Sequence, residues 1–268
     1  MSGEIGIIGP LNIDIILTGE IEKDFSHISE LVAEADIQIA AAGSIGYTVQ
    51  DLALLGADLK VCSCIADDGF GTFLLNNLKN IGVETDLIDV KNNTTSAVAV
   101  YVLMFGSRKR PFFFQLPTHI PWPSEFALDV KKQLLSVEIL HSGGYLHFEN
   151  MYHSGIIELF EEAVSRGVIT SLDPQFPLHH LDEPWIEELK DLLPNIRYLF
   201  CDEHEAVSIT GRTSFSEAAR YLLDSGPDVV VVKQGADGSD VYTRNGDFHQ
   251  KAVKKGKIVD SVGAGDAY

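Results

Sequence analysis

Between Glu138 and Gly235 short, largely apolar runs alternate regularly with helical stretches, and no other feature narrows the fold as far. Strands are expected at Glu138–Ser142, Val168–Leu172, Tyr198–Cys201 and Val229–Val232. Helices are expected between them, at Ser154–Ser165, Glu183–Leu192 and Ser214–Leu223. Strands that alternate with helices build a parallel sheet, because each helical crossover lies back on one of its faces. Polar and small residues follow the strand ends: Asp173-Pro174, Asp202-Glu203-His204-Glu205 and Lys233-Gln234-Gly235. Open α/β sheets take their ligands at those ends.

The first half is less regular. Glu4–Gly9 reads as a short apolar strand and Leu11–Leu17 as a second. Period-two alternation puts Asn12 and Asp14 on one face and Ile13 and Ile15 on the other. Two polar groups on one face either hydrogen-bond a polyol or face water. Ile37–Ala41 runs into Ala42-Gly43-Ser44-Ile45-Gly46 and then a helical pattern from Tyr47 to Leu55, stopped by Gly56. Small residues at a helix start let backbone approach a ligand, and equally let helix pack on sheet. Asp58–Ala66 reads as a buried strand, and the turn Asp67–Gly71 leads into an amphipathic helix, Thr72–Ile81, closed by Gly82. Thr94–Phe105 and Arg110–Gln115 form a hairpin across the basic turn Gly106–Arg110, whose charges either meet water or contact a phosphate.

The last stretch, Asp260-Ser261-Val262-Gly263-Ala264-Gly265-Asp266, holds the chemistry. Gly263, Ala264 and Gly265 present successive N–H groups where a helix is expected to begin, with no side chain larger than a methyl. Such amides make an anion site. Asp266 sits just beyond them, and a carboxylate there repels a bound phosphate. A general base that takes a proton from a hydroxyl attacking a phosphoryl group accounts for it. Taken alone, Gly-x-Gly-Asp is also just a tight turn with an acid near a helix start.

The chain has 268 residues, 45% of them hydrophobic and 22% charged, which suits one large domain with at most a small appendage. No internal repeat or linker divides it. A net charge of −19 disfavours nucleic acid, whose phosphates must be neutralised by Lys and Arg. No apolar run approaches the ~20 residues of a membrane span. The N-terminus lacks the basic start and apolar core of a signal peptide. A cytoplasmic protein is therefore expected, with its three cysteines reduced. Neither His179-His180 nor Glu203-His204-Glu205 has the His-x-x-x-His spacing of a helical zinc site, so the histidines read as structural or surface residues.

Taken in order and nearly end to end, these stretches resemble the ribokinase-like (PfkB) carbohydrate kinases. The most specific match is Asp260–Asp266 against that family's Asp-Thr-x-Gly-Ala-Gly-Asp signature. Supporting it are Asn12-x-Asp14, the Gly43 segment ending Leu55-Gly56, and Asp67-Asp68-x-Phe70-Gly71. Asp173-Pro174, Asp202-x-x-Glu205 and Lys233-x-Gly235-x-x-Gly238 add to it. The resemblance implies a three-layer α/β/α fold with a mostly parallel central sheet and a small β lid, drawn from parts of 11–42 and 94–116. It implies a kinase domain over 1–268 that continues with further helix beyond Tyr268, so no adenine-site residue is assigned.

By the same resemblance Asp266 is the base and the Gly263, Ala264 and Gly265 amides hold the transferred phosphate's charge. Asn12, Asp14, Gly43, Ser44 and Tyr47 would line the sugar site. Asp202, Glu205, Lys233, Gly235 and Gly238 would serve the nucleotide. ATP and Mg²⁺ are the implied cofactors, with Glu205 reaching the magnesium through water. Asp260 would belong to a K⁺ site found in some members. The implied partners are a small sugar and ATP, with neither nucleic acid nor membrane, and a homodimer through lid strands is open. Departures from the family pattern are Tyr47 in place of an Asn that contacts sugar, Ala42-Gly43 in place of Gly-Gly, and Asp202 in place of an Asn. Near Gly143-Gly144 nothing matches the Glu of ribose-specific members. Two other readings compete with a sugar kinase: a nucleoside kinase, for which Tyr47 offers an aromatic ring, and a non-catalytic sugar sensor.

Overall fold

Neighbouring residues of the first strand feed two separate cores, and that division gives the molecule three layers. A computed structural model describes residues 4–19, 36–103, 112–116, 120, 122–147, 149–177, 181–253 and 262–268. In it the first strands are β1 (Glu4–Ile8), β2 (Asn12–Thr18), β3 (Asp36–Ala42), β4 (Asp58–Ala66), β5 (Ile88–Lys91), β6 (Val98–Leu103) and β7 (Phe112–Leu116). There follow β8 (Ile139–Gly143), β9 (Ile169–Asp173), β10 (Tyr198–Asp202), β11 (Val229–Lys233), β12 (Ser239–Thr243) and β13 (Gly246–Gln250). The helices are α1 (Gly46–Leu54), α2 (Gly69–Asn80), α3 (Leu128–Leu134), α4 (Gly155–Ser165), α5 (Ile186–Leu189), α6 (Glu203–Thr210) and α7 (Phe215–Asp224).

Nine strands form the main sheet in the order β13-β12-β11-β10-β9-β8-β1-β4-β5. Pairing is parallel from β5 through β11, and only the β12–β13 edge is antiparallel. Ile8 and Cys62 point into one core with Phe160 of α4, Ile209 of α6 and Leu222 of α7. Ile7, Val61 and Ile65 point into the other, with Val49 of α1 and Leu74 and Leu78 of α2. Each such aliphatic side chain contributes ~1.5–3 kcal/mol by leaving water. The expected layered fold and its mostly parallel sheet are present.

A second sheet of four strands, ordered β3-β2-β6-β7, stands apart from the first. Gly9-Pro10-Leu11 carries the chain into it from β1, and Gly43-Ser44-Ile45 carries it back from β3 into α1. In its registers Ile15 lies beside Ile39 and Val100, while Asp14 lies beside Ala40 and Ala99. One face is thus aliphatic and the other carries Asp14. Asp14 is only 3% exposed, so its face is not a solvated one.

Several elements depart from the sequence expectation. The helix expected at Glu183–Leu192 is a single turn, α5, followed by a 3₁₀ turn at Leu193–Asn195. Pro194 has no N–H to continue an α-helical ladder. α3, β5 and the β12–β13 hairpin were not anticipated. The three cysteines are free and buried, and burial pushes the Cys62 and Cys64 thiols up to about 12. Among the described residues no helix is long and apolar enough to cross a membrane. The basic turn Gly106–Arg110 and the His179-His180 pair lie outside the described residues.

Candidate active site

The turn at 262–267 is held by its own backbone. Asp266 and Ala267 donate their N–H groups to the Gly263 carbonyl at 3.1 and 3.0 Å. Where the start of a helix was expected, the described residues 262–267 form a turn. Among the described residues the amides of Gly263, Ala264 and Gly265 have no backbone acceptor. They remain available to an anion. Gly263 adopts φ +75°, and a Cβ built there would lie 2.5 Å from the Tyr47 ring. Both its conformation and its contact exclude a side chain. Thr48, one position along α1, donates its hydroxyl to the Asp266 carbonyl at 2.6 Å. The first turn of α1 is thus the seat on which the glycine turn rests.

Asp266 is a carboxylate under opposing influences. Burial, Asp173 and Asp14 raise its pKa, and Lys233 and a hydrogen bond from Gln175 lower it. The balance pushes the group up to about 7. That is poised for proton transfer near neutral pH. Gln175 Nε2 donates to Asp266 Oδ1 at 2.6 Å.

On the side of the smaller sheet the Tyr47 hydroxyl donates to Asp14 Oδ2 at 3.0 Å. Burial, tempered by that bond, pushes Asp14 up to about 6. Tyr101 of β6 aligns with Ile16 and so shares the face of Asp14. Burial and the charges of Asp14 and Asp266 together hold its phenol protonated. Asn12 Oδ1 is buried with no partner among the described residues. A buried acceptor without a donor is costly in the absence of a hydroxyl-bearing ligand. Gly43 packs against the Asn12 backbone, and Ser44 bonds His147 Nδ1 at 3.1 Å.

Across the turn, at the ends of β9, β10 and β11, sit the residues expected to serve the nucleotide. Lys233 Nζ reaches Asp173 Oδ2 at 2.7 Å and the Gly265 carbonyl at 3.3 Å. Burial pulls the ammonium's pKa down, and Asp173, Glu205 and Asp266 more than reverse this, so Lys233 stays charged. Asp173 Oδ1 is buried without a partner among the described residues. Asp202 and Glu205 form a reciprocal capping box at the start of α6, each side chain accepting the other's backbone N–H at 2.7 Å. Burial and the neighbouring Asp173 and Asp202 push Glu205 up to about 8. Gly235 opens on free space, whereas Gly238 lies against the Gln250 carbonyl and serves the β12–β13 hairpin. Asp260 lies outside the described residues.

Ser44, Asp173, Lys233, Gly265 and Asp266 share the lining of one cavity, while Tyr47, its hydroxyl paired to Asp14, packs against Gly263 of the turn. The cavity, of about 310 Å³, lies between α1 and the sheet and reaches His141 and Tyr268. His141 bonds Ser171 at 2.8 Å, and burial lowers its pKa to about 4. The sequence reading missed Thr48, Tyr101, His147 and Gln175, and gave Asp173 no role of its own. Asp173 and Gln175 follow directly from the strand-end rule, because both sit where β9 stops.

The model of the pfkB family carbohydrate kinases matches residues 4–268. Over 218 residues the chain is 26% identical to the ATP-dependent 6-phosphofructokinase of Thermoanaerobacterium thermosaccharolyticum, covering 80% of this chain and 66% of that protein. It is 26% identical over 269 residues to fructokinase-2 of Solanum habrochaites, covering 95% of this chain and 79% of the relative. The chain spans about two thirds to four fifths of the length of these two proteins. The Arabidopsis thaliana ribokinase complexed with ribose and ATP shares its fold, with a TM-score of 0.75 at 21% identity, over 100% of this chain and 83% of that one. With the match running from the first described strand through the glycine turn, the chain belongs to the pfkB family of carbohydrate kinases.

Proposed function

We propose that the full-length protein transfers the γ-phosphoryl group of ATP to a hydroxyl of a small sugar or sugar derivative. The observation that carries this reading is the pairing of Asp266, pushed up to about 7, with a turn whose three amides have no backbone acceptor among the described residues. The acceptor's hydroxyl oxygen bonds to the γ-phosphorus as the bond to the ADP oxygen breaks. The hydroxyl proton goes to Asp266, and the amides of Gly263, Ala264 and Gly265 hold the charge on the transferred group. Asp14 and Asn12 accept hydrogen bonds from the acceptor's other hydroxyls, supported by the unpartnered Asn12 Oδ1.

Lys233 holds the β9 and β11 ends at the phosphates' edge of the turn. Among the described residues no three His, Cys, Asp or Glu side chains converge as a metal cage. The acids Asp173, Asp202 and Glu205 nonetheless suit a hydrated cation, and the unpartnered Asp173 Oδ1 is an acceptor for its water. When bound, Mg²⁺ offsets the triphosphate charge. A K⁺ site at Asp260 rests on the resemblance alone, and turnover in potassium against tetramethylammonium salts tests it. The smaller sheet is the lid over the acceptor. A second copy of the chain covers its aliphatic face, a reading supported by Ile37 and Ile39 at 60% and 51% exposure.

The test is ADP formation by the full-length protein with Mg-ATP across hexoses, pentoses, sugar acids and nucleosides. Turnover of sugars without nucleosides supports the proposal. Turnover of nucleosides alone replaces it with a nucleoside kinase. Sugar binding with no ADP formed replaces it with a sensor.

A further inference from the structure

Gln175 follows Pro174 at the end of β9 in a left-handed conformation, φ +57°. For a residue with a Cβ and a long side chain that conformation costs about 1 kcal/mol, and glycine would adopt it freely. Strain of this kind is retained where a side chain is needed in a particular place. The place here is Asp266. Gln175 Nε2 donates to Asp266 Oδ1 at 2.6 Å across 91 positions of sequence. The carboxylate can only accept, which fixes the amide's orientation with its NH₂ toward Asp266.

The groups around Asp266 explain why a neutral donor matters. Asp173 faces it from β9 and Asp14 from β2, and both repel its charge. Lys233 faces it from β11, but its ammonium is bonded to Asp173 Oδ2 and to the Gly265 carbonyl. The phenols of Tyr47 on α1 and Tyr101 on β6 stay protonated, held so by burial first and by the nearby carboxylates. Thr48 bonds the backbone carbonyl of Asp266, not its carboxylate. Gln175 therefore provides a direct hydrogen bond to the ionised carboxyl in a pocket where two other acids oppose that ionisation. With Oδ1 so occupied, Oδ2 is the oxygen left to accept a hydroxyl's proton.

We propose that Gln175 is a positioning residue for phosphoryl transfer, holding Asp266 ionised and oriented through the Nε2–Oδ1 bond. The inference rests on Asp266 being the base. It assigns a task to a residue that lies in none of the motifs carrying the family resemblance.

The experiment follows the Asp266 carboxyl carbon by NMR against pH in the full-length protein, its signal identified by loss in Asp266→Asn. Gln175→Gly removes the amide and relieves the left-handed backbone. Gln175→Glu keeps the length but replaces the donor with a third acid. Thermal unfolding of each variant shows that it is folded. The expected result is a melting temperature for Gln175→Gly equal to or above the parent's. With it, the Asp266 titration moves upward by about one pH unit, and further in Gln175→Glu. Turnover on the sugar panel falls roughly tenfold in Gln175→Gly, with KM for Mg-ATP unchanged. A titration that superimposes on the parent's in both folded variants overturns the inference. Asp266→Asn separates the two readings. If it abolishes turnover while the Gln175 variants titrate like the parent, only the positioning role falls. If it leaves turnover intact, the base falls and the positioning role with it.

Discussion

Asp266 has an ordinary carboxyl pKa of 3.8 when unfolded and is pushed up to about 7 in the fold, chiefly by burial and Asp173. Two consequences follow with definite signs. A base must be ionised to act, so kcat/KM for the acceptor should fall about tenfold per pH unit below about 7. A rate flat down to pH 5 would contradict that. The folded state binds the proton more tightly than the unfolded chain, so this group's ionisation weakens the fold as pH rises from 3.8 through about 7. Asp266→Asn should therefore melt higher than the parent at pH 8, with the difference fading below pH ~4, even as it loses turnover. Tyr47→Phe removes the donor to Asp14 and should raise the acceptor's KM roughly tenfold, a hydrogen bond to a charged group being worth about 1.5–3 kcal/mol. Gly263→Ala drives a methyl into the Tyr47 ring and should cut kcat on the order of 10²-fold, the range for losing an oriented donor. Steady-state kinetics on each variant decide both points.

At the scale of elements, the capping box at α6 shows how one pair of acids answers to structure before chemistry. Asp202 accepts the Glu205 N–H, and Glu205 accepts the Asp202 N–H. Asp202→Ala should cost ~1 kcal/mol of stability. Asp202→Asn, which caps as well, should stay within ~0.5 kcal/mol of the parent while easing the repulsion that raises Glu205. Equal losses in the two variants, read by chemical denaturation, would count against the cap. The strands β8 to β11 were legible in the sequence because each is a short, largely apolar run in a regular alternation with helical stretches. β5 was not, being four residues with a half-exposed pattern, and β13 has every residue exposed, so neither carries an alternation to read. In the site, the glycine turn and the Asn12/Asp14 face stood out as short local patterns, each equally open to a structural reading, and only the family resemblance gave them a role. The Gln175–Asp266 bond did not stand out, since it joins residues 91 apart through a backbone conformation that no local pattern announces.

The whole molecule sets a large three-layer body beside a small sheet, with Asp14 and Tyr47 on the sheet's side of the site and Lys233 on the body's. The small sheet turns Asp14 inward and leaves Ile37 and Ile39 exposed on its other face. If a second copy covers that face, Ile39→Asp should shift the sedimenting mass from dimer to monomer. A parent protein that sediments as a monomer at micromolar concentration would contradict the dimer. The central claim is narrower than any assembly: a hydroxyl is phosphorylated with Asp266 as its base. The direct measurement is single-turnover phosphoryl transfer from Mg-ATP to the acceptor found in the sugar panel, by full-length parent and Asp266→Asn side by side. The account predicts nearly equal ATP affinity and a chemical step slower by a factor on the order of 10²–10⁴ in the variant. Equal transfer rates in parent and variant would contradict it.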